Sequence, residues 1–462
     1  MVREYATPGE TAKLAGNTPL LAIEELEDES FYRASTPKLN YRTISSSIMY
    51  DYNSISMFNS TFNGSIMEYL EKMGSTSYSV TQLFGMSNRA YMNALAAVKY
   101  YAYFDEADRA LPYGYEEVLK TEVNGKETTV CENENALPIG YTYDSVISEE
   151  TLESYDVLDR QEVMMQTAVV ASGDMDGSVA EADSDDILVT KEENEILSVE
   201  EDGITLTDTA LIAGEAEETL AEEEADEDAD NLAEEDVEDA VYQLTITFES
   251  KPNSETYLVL EQGVLEGDMT EEAINIGFET EGNNLSYKFR SNDDRYGTNQ
   301  EDYVFNLGYH EDAITTCTIT MDRAGMIQFD SLKLYSQPMD NMEEYSEALK
   351  EDVLENVVIG TNQVSGTVNL EEDKLLVLSI PYQNGWTAYV DGVEVEAVRT
   401  NYMYIGIPLT AGEHTIELDF AIPGVKYALV IMPSAVVLFI VLWIVSVIRR
   451  KRKKAGSGKK EK

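Results

Sequence analysis

The chain has 462 residues and a formal net charge of −56 at pH 7, because 88 Asp and Glu residues outnumber 32 Lys and Arg residues. This length fits two or three domains plus a tail. The charge excludes a nucleic-acid-binding role, since no basic groove remains to neutralise phosphates, and it disfavours flat adsorption to an anionic lipid surface.

Residues 1–170 combine helix and strand patterns and are predicted to form a mixed α/β domain. In the first predicted helix, Ile66, Tyr69 and Leu70 share one apolar face, and Ser87 is a candidate N-cap for the second. The predicted elements are helices over residues 65–73, 87–99 and 160–170 and strands over residues 100–104 and 128–132.

Residues 1–16 contain no apolar stretch of the kind found in a signal peptide. Two hypotheses account for this. The chain is the C-terminal piece of a larger membrane protein with earlier helices, or it is a cytosolic protein anchored by its tail.

Residues 171–240 are dominated by Asp and Glu and contain few aromatic side chains. Carboxylates this dense repel one another and leave little apolar surface to bury, so a disordered or solvated acidic insert is predicted. Calcium binding is the alternative, but the ligand spacing of a calcium loop is absent. Deletion of residues 172–239 is expected to leave the fold intact.

Residues 241–424 carry alternating apolar and polar residues that predict closely spaced strands and a β-sandwich-like region. Asp391-Gly392 lies between two such strands and predicts a two-residue hairpin turn. A helix predicted over residues 341–355 divides the region into two β lobes. The predicted fold class is therefore α+β.

Residues 427–448 form an uncharged apolar run that includes Pro433 and is long enough for a transmembrane helix. The basic tail, residues 449–462, follows it, and Lys and Arg beside a membrane helix mark the cytoplasmic side. We therefore predict a cell-membrane protein with a cytoplasmic C-terminus and the bulk of the chain outside the cytoplasm.

Tyr382, Asn384 and Trp386 are the candidate glycan-binding residues, because exposed aromatic rings on β-sandwiches can stack on sugar rings. Tyr389 belongs to the same candidate patch. The alternative is that these aromatic side chains fill the sandwich core. The sequence contains no metal-ligand spacing and no cofactor fingerprint, so neither a metal nor a cofactor is predicted.

Cys131 and Cys317 lie far apart in the sequence, and an external compartment would permit a disulfide between them. The sequence leaves open whether they pair. The two histidines, His310 and His414, both lie in strand-like surroundings, which makes histidine-based catalysis an unattractive hypothesis.

Three stretches resemble the bacterial YfhO membrane proteins, and together they extend over about residues 20–448 apart from the acidic insert. The third stretch is the most specific of the three. They are Phe31-Tyr32-Arg33 with residues 53–60; residues 98–101 with 132–141; and residues 378–386 with Asp391-Gly392 and Gly412-Glu413-His414.

The resemblance implies a lipid-linked sugar transferase of the GT-C type that glycosylates cell-envelope polymers such as lipoteichoic acid. In such enzymes a long helical membrane part precedes an extracytoplasmic domain and a last helix. The catalytic acid expected of these enzymes lies in the first external loop of that membrane part. No catalytic residue is therefore assigned here.

The leading hypothesis is the extracytoplasmic part of a membrane glycosyltransferase that uses a polyprenyl-phosphate sugar, with a separately encoded polytopic membrane part as a candidate partner. The alternative is a non-enzymatic, membrane-anchored surface protein that binds envelope glycan or a membrane partner. Binding of nucleic acid is not expected in either case.

Overall fold

The computed structural model describes residues 16–37, 43–50, 52–104, 111–174, 177–214, 242–266, 273–291, 297–298 and 300–457. Within these ranges the chain is rich in strands, contains short helices and ends in one long helix, which confirms the predicted α+β class. The start of the chain and the end of the predicted basic tail lie outside the described residues.

The N-terminal region confirms the first predicted helix and shortens the other two. Ile66, Tyr69 and Leu70 are buried as predicted, and Asn63 caps that helix by accepting from the backbone N–H of Ser65. The helices are α1 Gly64–Lys72, α2 Ala90–Leu95, α3 Glu149–Glu153 and α4 Arg160–Val163, with 3-10 helices at Pro19–Leu26 and Ser46–Ile48.

The predicted helices over residues 87–99 and 160–170 are wrong at their ends, because each is followed by a buried strand. Val98 opens one such strand and Ala168 opens another. The strands are β1 Arg33–Ser35, β2 Met57–Phe58, β3 Tyr78–Ser79, β4 Gln82–Leu83, β5 Val98–Phe104, β6 Tyr115–Val123, β7 Lys126–Asn133, β8 Gly140–Tyr143, β9 Ser145–Ser148 and β10 Ala168–Val170.

The prediction of a disordered or solvated acidic insert over residues 171–240 is wrong for the described part of that range, because this part forms strands. Exposed acidic residues on these strands accompany buried apolar ones, so Ile204 and Leu211 reach a hydrophobic core. Residues 215–241 lie outside the described residues. The elements are a 3-10 helix at Ser172–Asp174 and strands β11 Ala180–Glu181, β12 Glu192–Asn194, β13 Ile196–Asp202, β14 Ile204–Leu206 and β15 Ala210–Ala213.

Leu211→Ala is expected to destabilise the protein by about 3 kcal/mol, because it leaves a cavity at a fully buried position. Leu197→Ala is the matched control, since Leu197 lies in β13 and is 60% exposed. Thermal unfolding of the full chain in detergent measures the difference. Equal melting temperatures for the two variants would mean that the acidic segment contributes nothing to the core, as a solvated insert would.

A first sandwich follows, built around Leu244, Ile246, Phe305 and Ile319. Its strands are β16 Tyr242–Phe248, β17 Ser254–Glu261, β18 Val264–Glu266, β19 Ile274–Thr280, β20 Asn283–Phe289, β21 Tyr303–His310, β22 Thr316–Met321, β23 Gly325–Gln328 and β24 Ser331–Pro338. The sheets have the orders β12-β24-β17-β21, β13-β16-β22-β19-β20 and β14-β15-β23-β18, so each includes at least one strand from the acidic segment.

The second β lobe begins after helix α5, Met342–Lys350, which is shorter than the predicted helix over residues 341–355. Asp391 and Gly392 both have positive φ, of 54° and 77°, which confirms the predicted hairpin turn. The strands are β25 Glu355–Ile359, β26 Gln363–Leu370, β27 Lys374–Pro381, β28 Trp386–Val390, β29 Val393–Val395, β30 Val398–Thr400, β31 Tyr404–Leu409 and β32 Gly412–Phe420.

A central sheet joins strands from residues 140–181 to strands from residues 374–409, in the order β11-β9-β10-β30-β31-β27-β8. Residues 1–170 therefore do not form a separate domain, because their strands β8, β9 and β10 share this sheet with strands from the second lobe. One face of β27 packs on the sheet β25-β26-β32-β28-β29 through Leu376 and Leu378, which forms the second sandwich. The opposite face packs on the N-terminal region through Leu375 and Val377.

Helix α6, Val425–Ser457, includes the predicted membrane segment and continues beyond it. Its stretch Tyr427–Lys451 is, among the described residues, the helix long and apolar enough to cross a membrane. Those apolar side chains are exposed along the whole span, as a helix surrounded by lipid requires. Pro433 is accommodated inside the helix.

Candidate functional site

Three distant parts of the sequence meet at Ser379, near the end of β27. The Arg33 guanidinium donates from Nη1 to Ser379 Oγ at 3.0 Å and to Ala96 O at 2.8 Å, and from Nη2 to Ser379 O at 2.7 Å. The Ser379 N–H donates to Ile139 O at 2.8 Å. The stretches that contain Arg33, Ile139 and Ser379 therefore form one structural unit.

Beyond Ser379 the strand bulges and becomes a loop, residues 381–386. The pairing of β27 with β31 shifts register between Leu378 and Pro381, and Pro381 supplies no N–H to the ladder. The loop then reaches Gly385, whose φ is 119°. A Cβ there would lie 2.4 Å from Ala421 O, so only glycine allows this close approach.

The loop packs against the segment that leads into α6. The Ala421 N–H donates to Gly385 O at 2.9 Å, and Trp386 pairs with Phe420, their ring centroids 5.1 Å apart. Helix α6 begins at Val425, a few residues later. The loop 381–386 therefore lies at the base of the long apolar helix.

The structure places the three candidate residues on this one loop but in different environments. Asn384 is exposed, whereas Tyr382 and Trp386 are half-buried and pack on the core of the second sandwich. The Trp386 Nε1–H is buried and meets no hydrogen-bond acceptor among the described residues. Tyr389 lies on the opposite face of β28 from Trp386, so the predicted aromatic patch is not one continuous surface.

Asn63 and Ser65 hold the loop from the other side, and sequence patterns gave no indication of this role. Asn63 Nδ2 and Ser65 Oγ both donate to Tyr382 O, at 3.1 and 2.9 Å. Because Asn63 also caps α1, the helix N-terminus is fixed to the loop. The backbone of Tyr382 is thus held while Asn384 remains accessible.

An ion cluster supports the start of the same unit. Lys99 Nζ lies 2.8 Å from an Asp28 carboxylate oxygen and 3.1 Å from Glu132 Oε1, and the Tyr100 hydroxyl donates to Asp28 at 2.8 Å. Burial raises the pKa of Asp28, but the hydrogen bonds from Lys99, Ser30 and Tyr100 outweigh it and leave that pKa well below its usual range.

The second histidine has a structural position at the hairpin turn. His414 Nδ1 lies 2.8 Å from Asp391 Oδ2, and His414 Nε2 lies 2.9 Å from Thr410 O. The Thr415 N–H also donates to Asp391. This hydrogen bond and the one between Asp391 and His414 lower the pKa of Asp391. The hydrogen bonds of Asp391 therefore hold the Asp391-Gly392 turn against the stretch that contains Gly412-Glu413-His414.

A buried polar network joins the N-terminal region to the first sandwich. Arg89 is fully buried and donates from Nε to Gln161 Oε1 at 2.7 Å and from Nη1 to Met73 O at 2.5 Å. Glu255, also fully buried, accepts from the backbone N–H groups of Ala90 and Tyr113, each at 3.2 Å. Burial raises the pKa of Glu255 despite these bonds.

A cleft of 770 Å³ opens between β20 and the N-terminal region. Amide, hydroxyl and aromatic side chains line it, including Asn283, Asn284, Tyr78 and Tyr287, together with Lys288. Asp and Glu are missing from its described lining, although the chain has 88 of them in 462 residues. Sequence reasoning missed this cleft, because its lining comes from segments far apart in the chain.

No cluster of three or more His, Cys, Asp or Glu side chains with metal-binding geometry occurs among the described residues. Cys131 lies in the core that surrounds the central sheet, and Cys317 lies in the core of the first sandwich. The two sulfur atoms are therefore in different cores, and the structure does not join them by a disulfide.

A family model described as bacterial membrane protein YfhO matches residues 10–432. The chain belongs to the YfhO family. The match extends from the N-terminal region into α6, so it includes the unit around Ser379, the loop 381–386 and both sandwiches. Membership confirms the resemblance seen in the sequence and makes this a chain of a bacterial membrane protein family.

A YfhO relative from Bacillus subtilis (strain 168), described as an uncharacterized protein, is 21% identical over 471 residues. The alignment covers 99% of this chain and 47% of the relative. The YfhO-family chain therefore spans about half the length of this curated relative.

Two solved structures illustrate the structural comparisons. A mutant of the mycobacterial arabinofuranosyltransferase AftD aligns over 90% of this chain and 49% of its own, at 8% identity and a TM-score of 0.21. A GH2 beta-galacturonidase from Eisenbergiella tayi aligns over 50% of this chain and 38% of its own, at 11% identity and a TM-score of 0.15. Scores this low support no argument about function.

Proposed function

We propose that this YfhO-family chain is the extracytoplasmic part of a membrane glycosyltransferase that adds sugars to cell-envelope polymers of the lipoteichoic acid type. The observation that carries the proposal is the packing of the loop 381–386 against the segment leading into α6. A polyprenyl-phosphate sugar is anchored in the membrane by its lipid chain, so its sugar is presented at the membrane surface. The loop lies at that level.

In this proposal Asn384, Tyr382 and Trp386 contact the acceptor polymer. Asn384 is the exposed member and offers an amide that both donates and accepts hydrogen bonds to sugar hydroxyls. Tyr382 and Trp386 shape the loop, since their rings pack on the second sandwich and the Tyr382 backbone is held by Asn63 and Ser65. The transfer chemistry is assigned to a polytopic membrane part.

That membrane part corresponds to the half of the Bacillus subtilis relative that this chain does not cover. We place the bulk of the chain outside the cytoplasm and the C-terminus inside, because Arg449, Arg450 and Lys451 follow the apolar span directly. Copurification of the tagged chain with a multi-helix membrane protein tests the proposed partner.

Asn384→Ala is expected to lower sugar incorporation into the envelope polymer about tenfold, which corresponds to one lost polar contact in the transfer complex. The measurement is the sugar content of the purified polymer from cells that carry the variant as their sole copy. Asn369→Ala is the matched control, because Asn369 is also exposed but lies at the opposite end of the same sheet.

The abundance of each variant in the membrane is measured in parallel, so that loss of protein is separated from loss of activity. Equal sugar content in the Asn384 and Asn369 variants at equal abundance would contradict the assignment of Asn384 to acceptor contact. Unchanged sugar content after removal of the whole protein would contradict the transferase function itself.

The second candidate function is glycan binding without transfer, and the 770 Å³ cleft favours it. Amides such as Asn283 and Asn284, together with the ring of Tyr287, are the groups that hold sugars in binding proteins. Polymer retention by the purified chain, combined with an unchanged sugar content in cells lacking the protein, would favour binding over transfer.

A further inference from the structure

Three segments converge where the second sandwich meets α6. We call residues 359–363, 381–386 and 420–424 together the membrane-proximal rim. The Phe420 N–H donates to Asn362 O at 2.8 Å, and Asn362 Nδ2 donates to Phe420 O at 3.1 Å. Together with the pairing of Trp386 to Phe420, these bonds fix the three segments at one end of the sheet.

The rim is uncharged, which is unusual for this protein. None of its residues is Asp, Glu, Lys or Arg, although charged residues make up 26% of the chain. The first carboxylate next to the rim is Asp419, which pairs with Gln363 and Thr387. The carboxylates of the sheet therefore begin at the border of the rim and are excluded from it.

The opposite end of the same sheet is strongly acidic. Strand β26 leads into Glu371, Glu372 and Asp373, and its last residue pairs with Gly412 beside Glu413. The strand has eight residues, so about 26 Å separate the two ends. That distance exceeds the screening length of about 8 Å at physiological salt, so the two ends present different surfaces to their surroundings.

The rim also exposes apolar and aromatic side chains. Ile359 is 47% exposed and Ile422 is 64% exposed, and both face outward without packing on the sandwich core. Tyr382 and Trp386 are half-buried aromatic residues of the same rim. Tyrosine and tryptophan at the end of a membrane helix are typical of the bilayer interface, and so is the absence of carboxylates beside anionic headgroups.

We propose that the membrane-proximal rim lies in the headgroup layer of the bilayer that α6 crosses. The net charge of the chain repels an anionic lipid surface from most of its area, whereas the uncharged rim can approach it. The second sandwich then stands with its acidic end pointing away from the membrane. This inference concerns the placement of the fold and does not depend on the proposed enzymatic function.

The test uses the full chain in lipid nanodiscs with an environment-sensitive fluorophore on a single introduced cysteine. Thr361→Cys places the probe on the rim, and Thr410→Cys is the matched control, since both threonines are exposed and lie at opposite ends of one sheet. The parent chain is the labelling blank, because Cys131 and Cys317 are buried. Lipids that carry a quencher near the headgroups report contact.

The probe at residue 361 is expected to shift to shorter wavelength and to lose most of its emission to the lipid quencher. The probe at residue 410 is expected to keep its emission, because each headgroup layer is only about 5–8 Å thick. Equal quenching at both positions, or no quenching at residue 361, would overturn the proposal. A wavelength shift at residue 361 without lipid quenching would do so too, since it would mean that protein covers the rim.

A second rim variant guards against local damage by the label. Gln383→Cys carries the probe on the loop 381–386, where residue 383 is exposed. The melting temperature of each labelled chain is compared with that of the parent. Quenching at both 361 and 383 with none at 410 supports the placement, and disagreement between the two rim positions contradicts it.

Discussion

Leu376→Asp is expected to unfold the second sandwich together with the central sheet. Leu376 is fully buried on β27, between Ile407 of β31 and Thr142 of β8. A carboxylate there would be unpaired inside an apolar core, and the cost is about 5 kcal/mol or more. The measurement is the yield of folded full-length chain in detergent, followed by its melting temperature.

The obvious neighbour Val377 is an unsuitable control, because it is also fully buried and faces the core of the N-terminal region. Val393→Asp is the suitable one, since Val393 lies in the same lobe and is 65% exposed. We expect it to change the melting temperature very little. Equal melting temperatures for the Leu376→Asp and Val393→Asp chains would mean that the packing of β27 does not stabilise the two cores on either side of it.

This doubly buried strand shows what the sequence could and could not predict. Residues 375–380 have the apolar composition of a strand, as expected within a region of closely spaced strands, and they lie in β27. Composition alone does not say that a strand is covered on both faces, because a half-exposed strand of the same length can be equally apolar. The cover on the second face comes from the N-terminal region, whose buried residues Tyr69, Leu70 and Tyr91 lie more than 200 residues earlier in the chain.

Local patterns succeeded where the decisive interaction lies within a few residues. The α1 face, the Asp391-Gly392 turn and the membrane helix all depend on such short-range spacing. The candidate site was found only as a list of residues, because its shape depends on contacts between distant segments. Arg33 and Ser379, for example, are 346 residues apart and meet through two hydrogen bonds.

The prediction for the acidic segment failed for the opposite reason, because its acidic composition gave no sign that its strands pair with those of the first sandwich. Residues of β13 are mostly exposed and three of its seven are acidic, yet the strand pairs with β16 and continues into β14, where Ile204 is fully buried. Thr190 is also held, because its N–H donates to the buried Glu162 at 2.9 Å. A few anchoring residues are enough to order a segment that average composition would leave disordered.

Arg89→Ala is expected to weaken the junction between the N-terminal region and the first sandwich by about 3–5 kcal/mol. The change removes the donors to Met73 O and Gln161, and it removes the Arg89 charge that favours the ionised form of Glu255. Thermal unfolding in detergent measures the loss. Arg399→Ala is the control, because its ion pairs with Glu68 and Glu149 lie near the surface and contribute about 1 kcal/mol.

The electrostatic part of this loss has its own signature. Burial already raises the pKa of Glu255, and loss of the Arg89 charge raises that pKa further. A carboxyl group with a raised pKa in the folded state binds a proton more tightly there, so stability falls as pH rises above the unfolded pKa of about 4.3. The Arg89→Ala chain should therefore lose more stability at neutral pH than in mild acid, relative to the parent.

Glu255→Gln in the Arg89→Ala background separates charge from packing. Glutamine carries no charge and keeps one acceptor oxygen, so it retains one of the two hydrogen bonds that the separate carboxylate oxygens of Glu255 accept from the Ala90 and Tyr113 N–H groups. We expect the double variant to recover part of the lost stability and to lose the pH dependence, because the buried anion is gone. If the double variant is less stable than Arg89→Ala at every pH, the two side chains act through packing alone and the charge coupling between them is negligible.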